Sequence, residues 1–237
     1  KQPNLFPSFP GFGEDTPYDA KLIFDSRLER QISTRDLPKS VSLKDYNGFI
    51  TELADFYRHS GDQAYLKSMQ PKLVDLLHFM SEELNSDALF TNPGKHKVYV
   101  DWAEDLSSDT PNARAATHLE FIRGFEQGVW LLDQLGDSAD AATYRTLVAR
   151  MQSAAQHSLL DPATSTFGSL WQTNSMAILS NSATPAQQHD IWTQVLAQII
   201  PEMSQQGNPN PPKTITPYYG NYVLDAMAQL NHRPEAL

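Results

Sequence analysis

The chain has 237 residues, with 18 lysines and arginines against 28 aspartates and glutamates, and it contains no cysteine. The net charge of −10 argues against nucleic acid and anionic lipid as partners, since both call for a basic surface. Without cysteine there are no disulfides, no thiolate catalysis and no cysteine-based metal site, and no apolar run approaches the roughly 20 residues that cross a bilayer.

Residues 1–41 read as a proline-rich N-terminal arm. Pro3, Pro7, Pro10, Pro17 and Pro38 forbid a regular helix or a central strand through most of it, while Phe6, Phe9, Phe12 and Phe24 give it apolar groups to pack. A short helix is expected over 18–32. The chain opens on Lys1 rather than Met and shows no signal-peptide pattern there, as a processed chain or a piece of a longer one does.

From Ser42 the periodicity becomes helical, and 42–237 reads as one helical-hairpin domain. Ile50, Leu53 and Tyr57 form one apolar stripe, and Tyr65, Met69, Leu73, Leu76 and Met80 form the next, at steps of three and four. Between them, Gly61 suits the left-handed residue that ends a helix, and Asp62 suits the cap that begins another. Lys97 to Val100 is the one stretch that reads as extended. Leu119, Ile122, Phe125, Val129 and Leu132 then lead to a second Gly-Asp joint at Gly136-Asp137, followed by Tyr144, Val148, Met151 and Ala155. Further helices are expected near 169–181, near 185–200 with Thr184 as cap and Pro185 at the first position, and near 215–230. About seven helices in antiparallel hairpins make an all-α fold. The longer connections are polar: Asn85–Lys97, Asp101–Asn112, Asp161–Phe167 and Ser204–Lys213.

The seven histidines show no metal-ligand spacing, no Gly-x-Ser-x-Gly elbow follows a strand, and glycine is too scattered to cradle a phosphate. No metal and no cofactor is therefore expected. Carboxylates, aromatics and amides remain, and they gather at helix starts: Asp45 in the first, Asp101, Trp102, Glu104 and Asp105 before the third, Trp171, Gln172 and Asn174 in the fifth, Tyr218, Tyr219 and Asn221 in the last. If alternate helices run the same way, these starts share one rim. An indole can lie on the apolar face of a pyranose while carboxylates bind hydroxyls or move protons, so the rim suits a sugar. Each member also has a plainer reading, with Asp45 or Asp101 as a cap, Glu104 and Asp105 in solvent, Trp102 or Trp171 in the core, and the two tyrosines packed on Ile215-Thr216-Pro217.

Several segments taken in order carry a resemblance: Ser60-Gly61-Asp62 with Met69-Gln70-Pro71 and Leu76-Leu77, then Asp101-Trp102, then Leu131-Leu132-Asp133-Gln134-Leu135-Gly136-Asp137, then Thr216-Pro217-Tyr218-Tyr219 with Tyr222-Val223-Leu224. Over about 42–237 the chain resembles the catalytic domain of the α-L-rhamnosidase family of glycoside hydrolases. The resemblance implies an (α/α) toroid, here an incomplete (α/α)6 barrel, and inverting hydrolysis of terminal α-L-rhamnosides of plant or microbial glycans. It also implies a glycoside or oligosaccharide as partner, the remainder of a larger parent enzyme, and a secreted or periplasmic setting. By position it carries sugar contact to Asp45, Asp101 and Trp102; Trp171, Gln172, Tyr218 and Tyr219 join them as rim residues.

The family's general acid lies in an Arg-Asp-Glu-Arg-type segment upstream, which has no counterpart here, since Ser26-Arg27-Leu28-Glu29-Arg30 lacks the pattern. Its general base lies beyond the Thr-Pro-Tyr helix, where this chain stops. The catalytic pair is therefore unassigned, with Asp101, Glu104 and Asp105 as first candidates. Two other readings stand beside this one: a non-catalytic carbohydrate-binding or helical interaction module, and another (α/α) toroid enzyme such as a polysaccharide lyase or unsaturated glucuronyl hydrolase.

Overall fold

A computed structural model describes residues 43–103, 105–198 and 215–232. The N-terminal arm with its expected helix, Glu104, and the Ser204–Lys213 connection lie outside the described residues. Within them the chain forms seven α-helices: α1 (Leu43–Ser60), α2 (Gln63–Glu82), α3 (Pro111–Leu135), α4 (Ser138–Ser158), α5 (Trp171–Leu179), α6 (Pro185–Gln194) and α7 (Pro217–Gln229). The helix expected over 185–200 ends at Gln194. The chain then tightens into a 3-10 turn over Leu196–Gln198, in which Leu196 stays fully buried.

Both Gly-Asp joints form as their chemistry dictates. Gly61 has φ +63° and Gly136 φ +74°, a region that costs an L-residue about 1–2 kcal/mol and glycine almost nothing. At Gly136 the backbone closes back on α3, with the Asp137 amide donating to Leu132 O at 2.9 Å. The next residue then starts the following helix: Asp62 accepts from Tyr65 N at 2.9 Å and Asp137 from Asp140 N at 3.3 Å. Two residues thus stop one helix and begin its partner, giving the hairpins α1–α2 and α3–α4.

The 25-residue α3 is the central element. It packs on α1, α2, α4 and α5, and its buried residues lie all around it, as expected of a helix enclosed by others. Two glycines allow its closest approaches. A Cβ on Gly128 would stand 2.7 Å from Leu77 of α2, and one on Gly124 would stand 1.9 Å from Asn47 Oδ1 of α1. The expected stripes are the core: Ile50, Leu53, Leu73, Met80, Leu119, Ile122, Phe125, Leu132 and Met151 are buried. Of residues 97–100 only Lys97 forms a bridge, its carbonyl accepting from Leu43 N at 3.2 Å, and 98–100 belong to no regular element. No strand forms among the described residues; isolated antiparallel bridges join Leu84 to Phe90 and Asp161 to Thr166. No described helix is long and apolar enough to cross a membrane.

Candidate functional site

The segment between α2 and α3 carries the Asp101-Trp102 pair, and polar clasps fix its course. Asn92 Nδ2 donates to His96 O at 3.0 Å and to Asp109 Oδ2 at 3.1 Å, while Asp109 is held by the Arg114 guanidinium. That guanidinium keeps the Asp109 carboxyl below the usual carboxylate range. A tight turn follows Asp101, with Val100 N donating to Leu106 O at 2.8 Å. Asp105 occupies this turn with φ +64°, a conformation aspartate tolerates better than most residues, and its carbonyl accepts from the Thr110 hydroxyl that caps α3.

Asp101 is buried at 1% exposure, and its carboxylate is held from three sides. Oδ1 accepts from Trp102 N at 2.9 Å; Oδ2 accepts from Gln172 Nε2 at 2.9 Å and from Thr216 N at 3.3 Å. Gln172 is the second residue of α5 and Thr216 is the cap of α7. One residue earlier, Val100 O accepts from Lys44 Nζ at 2.5 Å, in the first turn of α1. The starts of α1, α5 and α7 therefore meet at the Val100-Asp101 peptide, just before α3 begins.

Around this junction the predicted residues divide by exposure. Trp102 is 79% exposed and meets Tyr99 edge-on, at 5.2 Å between ring centres. Tyr218 is 54% exposed, with the Lys44 ammonium 4.1 Å from its ring centre. Asp45 is exposed in the first turn of α1, Asp105 is exposed, and Trp171 is half-buried at the start of α5. Gln172 and Tyr219 are buried and face inward, so solvent meets Trp102, Tyr218, Asp45 and Asp105 rather than these two.

Below the rim lies a charged interior that the sequence reading missed. Glu120, on the third turn of α3, is fully buried, and its Oε1 accepts from the Tyr219 hydroxyl at 2.9 Å. Burial pushes its carboxyl up to about 7, against the pull of Lys44, the Tyr219 bond and Arg123. The same burial lowers Lys44 and raises the Tyr219 phenol far above its ordinary value. Arg123 lies over the Tyr222 ring at 5.0 Å, and the Tyr218 and Tyr222 hydroxyls bond each other at 3.1 Å. The readable signal was the spacing Glu120, Arg123, Gln127, a polar stripe along a helix whose other faces are apolar.

No family model matches the chain, and no curated protein matches its sequence. Solved structures do match its shape. A rhamnosidase from Klebsiella oxytoca with rhamnose bound aligns over 84% of this chain and 37% of its own, with TM-score 0.67 and 19% identity. The chain shares its fold with part of that enzyme. A GH78 family rhamnosidase of Bacillus sp. GL1 agrees, at TM-score 0.68 and 15% identity over 83% of this chain and 21% of its own. The chain thus spans well under half the length of either enzyme.

Proposed function

We propose that the chain is part of the helical catalytic domain, an incomplete (α/α)6 barrel, of a glycoside hydrolase that acts on terminal α-L-rhamnosides, and that the rim at Asp101-Trp102 receives the sugar. The observation that carries this reading is the convergence of the starts of α1, α5 and α7 on Asp101, beside an exposed indole, in a fold shared with a rhamnosidase that holds rhamnose. Trp102 supplies the apolar platform. Asp45 and Tyr218 offer polar groups to the hydroxyls at the edge, and Trp171 flanks them. Asp101, Gln172 and Tyr219 act from behind as positioning residues, because their polar atoms are already bound within the protein.

An inverting hydrolase needs an acid that protonates the leaving oxygen and a base that activates water, with the two carboxyls about 6.5–9.5 Å apart. Asp101 spends both oxygens on three donors, which leaves it poorly placed for either role. That observation also favours the second reading, a carbohydrate-binding module without turnover when the chain stands alone. Assay of the purified chain against an aryl α-L-rhamnoside separates the two. Binding of L-rhamnose with negligible hydrolysis is expected here, with the acid and base supplied by the rest of a larger enzyme. Robust turnover abolished at Asp45, Asp101, Glu104 or Asp105 would place the acids in this chain, and absence of both binding and turnover would overturn the rhamnoside reading.

A further inference from the structure

Between α1, α3, α5 and α7 lies a cavity of about 10 Å³, lined by Lys44, Asn47, Thr51, Glu120, Arg123 and Tyr222 among others. Three of these residues carry a buried side-chain atom without a hydrogen-bond partner: Asn47 Oδ1, Glu120 Oε2 and Arg123 Nη1. The count is made among the described residues. Leaving a buried polar atom unpaired costs about 1–3 kcal/mol, so three around one cavity require an explanation. Their chemistry is specific, because two are acceptors and one is a donor.

We propose that this cavity is a binding site for a single oxygen, in the free protein a water that donates to Asn47 Oδ1 and Glu120 Oε2 and accepts from Arg123 Nη1. A water, with two protons and a lone pair, satisfies all three at once when Glu120 is ionised, and three bonds is the usual complement of a buried water. The volume matches, since a space of about 10–15 Å³ on this measure holds one water. A small anion is disfavoured because it would satisfy Arg123 but face two acceptor oxygens. An apolar group would leave all three unpaired. Asn47 Oδ1 fits where Gly124 has no Cβ, and Tyr218 and Tyr222 of α7, whose hydroxyls bond each other, complete the lining.

In the free protein the oxygen is water. In a complex, a sugar hydroxyl that displaces Tyr218 and Tyr222 has a single proton, so it replaces the water only with Glu120 protonated on Oε2, donating to Asn47 Oδ1 and accepting from Glu120 and Arg123; only this second source rests on the rhamnoside reading. The test is a pair of high-resolution crystal structures of the whole chain, grown with and without L-rhamnose. The free crystal is expected to show one oxygen peak about 2.6–3.2 Å from Asn47 Oδ1, Glu120 Oε2 and Arg123 Nη1. A dry cavity, direct pairing of Glu120 with Arg123, or a chloride in place of the oxygen overturns the proposal. With rhamnose, persistence of the peak identifies water as the sole source, and its replacement by a ring hydroxyl identifies the sugar. Failure of rhamnose to bind anywhere counts against the rhamnoside reading and leaves the free-crystal result to decide this site.

Discussion

Replacing Asp101 tests whether one carboxylate ties the helix starts together. Asp101→Ala removes the acceptor of Trp102 N, Gln172 Nε2 and Thr216 N. Gln172 is 1% exposed, so its amide group is left without its Asp101 bond in a place water hardly reaches, while Trp102 N and Thr216 N sit where solvent can replace part of the loss. Hydrogen bonds to a charged group contribute about 1.5–3 kcal/mol each, and an orphaned buried donor costs about 1–3 kcal/mol. Counting one full loss and two partial ones gives about 3–5 kcal/mol, or about 6–20 °C in the thermal midpoint at this size. Asp101→Asn serves as the control. Its amide oxygen can keep the Oδ2 side, which binds both α5 and α7, and its NH2 then faces only Trp102 N. It should lose about 1–2 kcal/mol. Urea and thermal unfolding of the three proteins provide the values, and an Asp101→Ala variant within about 1 kcal/mol of the parent would refute the clasp.

His118 and Glu120 should tilt stability with pH in opposite directions. Buried His118 accepts from Phe90 N on Nδ1 and donates from Nε2 to Met151 O, and burial lowers it to about 4. Below pH 6.5 the unfolded chain binds this proton and the folded one does not, so the His118 contribution falls by about 3 kcal/mol as pH drops from 6.5 to 4, and paired urea titrations should show the parent losing that much relative to His118→Gln across the range. Glu120, raised by burial to about 7 from the ordinary 4.5, keeps its proton longer in the folded state. Its contribution to stability therefore falls by about 3 kcal/mol as pH rises from 4.5 to 7, so the stability of the parent relative to Glu120→Gln should fall by that amount over this range; a difference that does not change with pH would show that Glu120 does not titrate as its burial requires. Gly136→Ala should cost about 1–2 kcal/mol through its left-handed backbone alone, because nothing lies within 4 Å of the added Cβ, and equal stability by urea unfolding would contradict this.

Much of the architecture was legible because it depends on local chemistry. Gly61-Asp62 and Gly136-Asp137 each hold a stop and a start signal, and the three-four spacing of Leu73, Leu76, Met80 or of Ile122, Phe125, Val129 names the buried face without reference to the rest of the fold. The meeting of Asp101 with Gln172 and Thr216 was legible only as an expectation, since it depends on alternate helices running the same way. What Asp101 does there was not legible, because the residue type fits sugar contact and a structural clasp equally well. Glu120, Arg123 and Lys44 escaped the reading for a related reason. A charged residue on a helix usually faces solvent, and only the enclosure of α3 by α1, α2, α4 and α5 turns that stripe inward.

Titration of L-rhamnose by calorimetry into the chain and into Trp102→Ala, with the thermal midpoint of each recorded alongside, tests the central claim most directly. At 79% exposure the indole contributes little to the core, so the midpoint should stay within about 1–2 °C of the parent. Loss of the platform should weaken binding about tenfold, equal to about 1.4 kcal/mol. Equal affinity in the two proteins, or no measurable binding by the parent, would contradict the assignment of this rim to a rhamnoside.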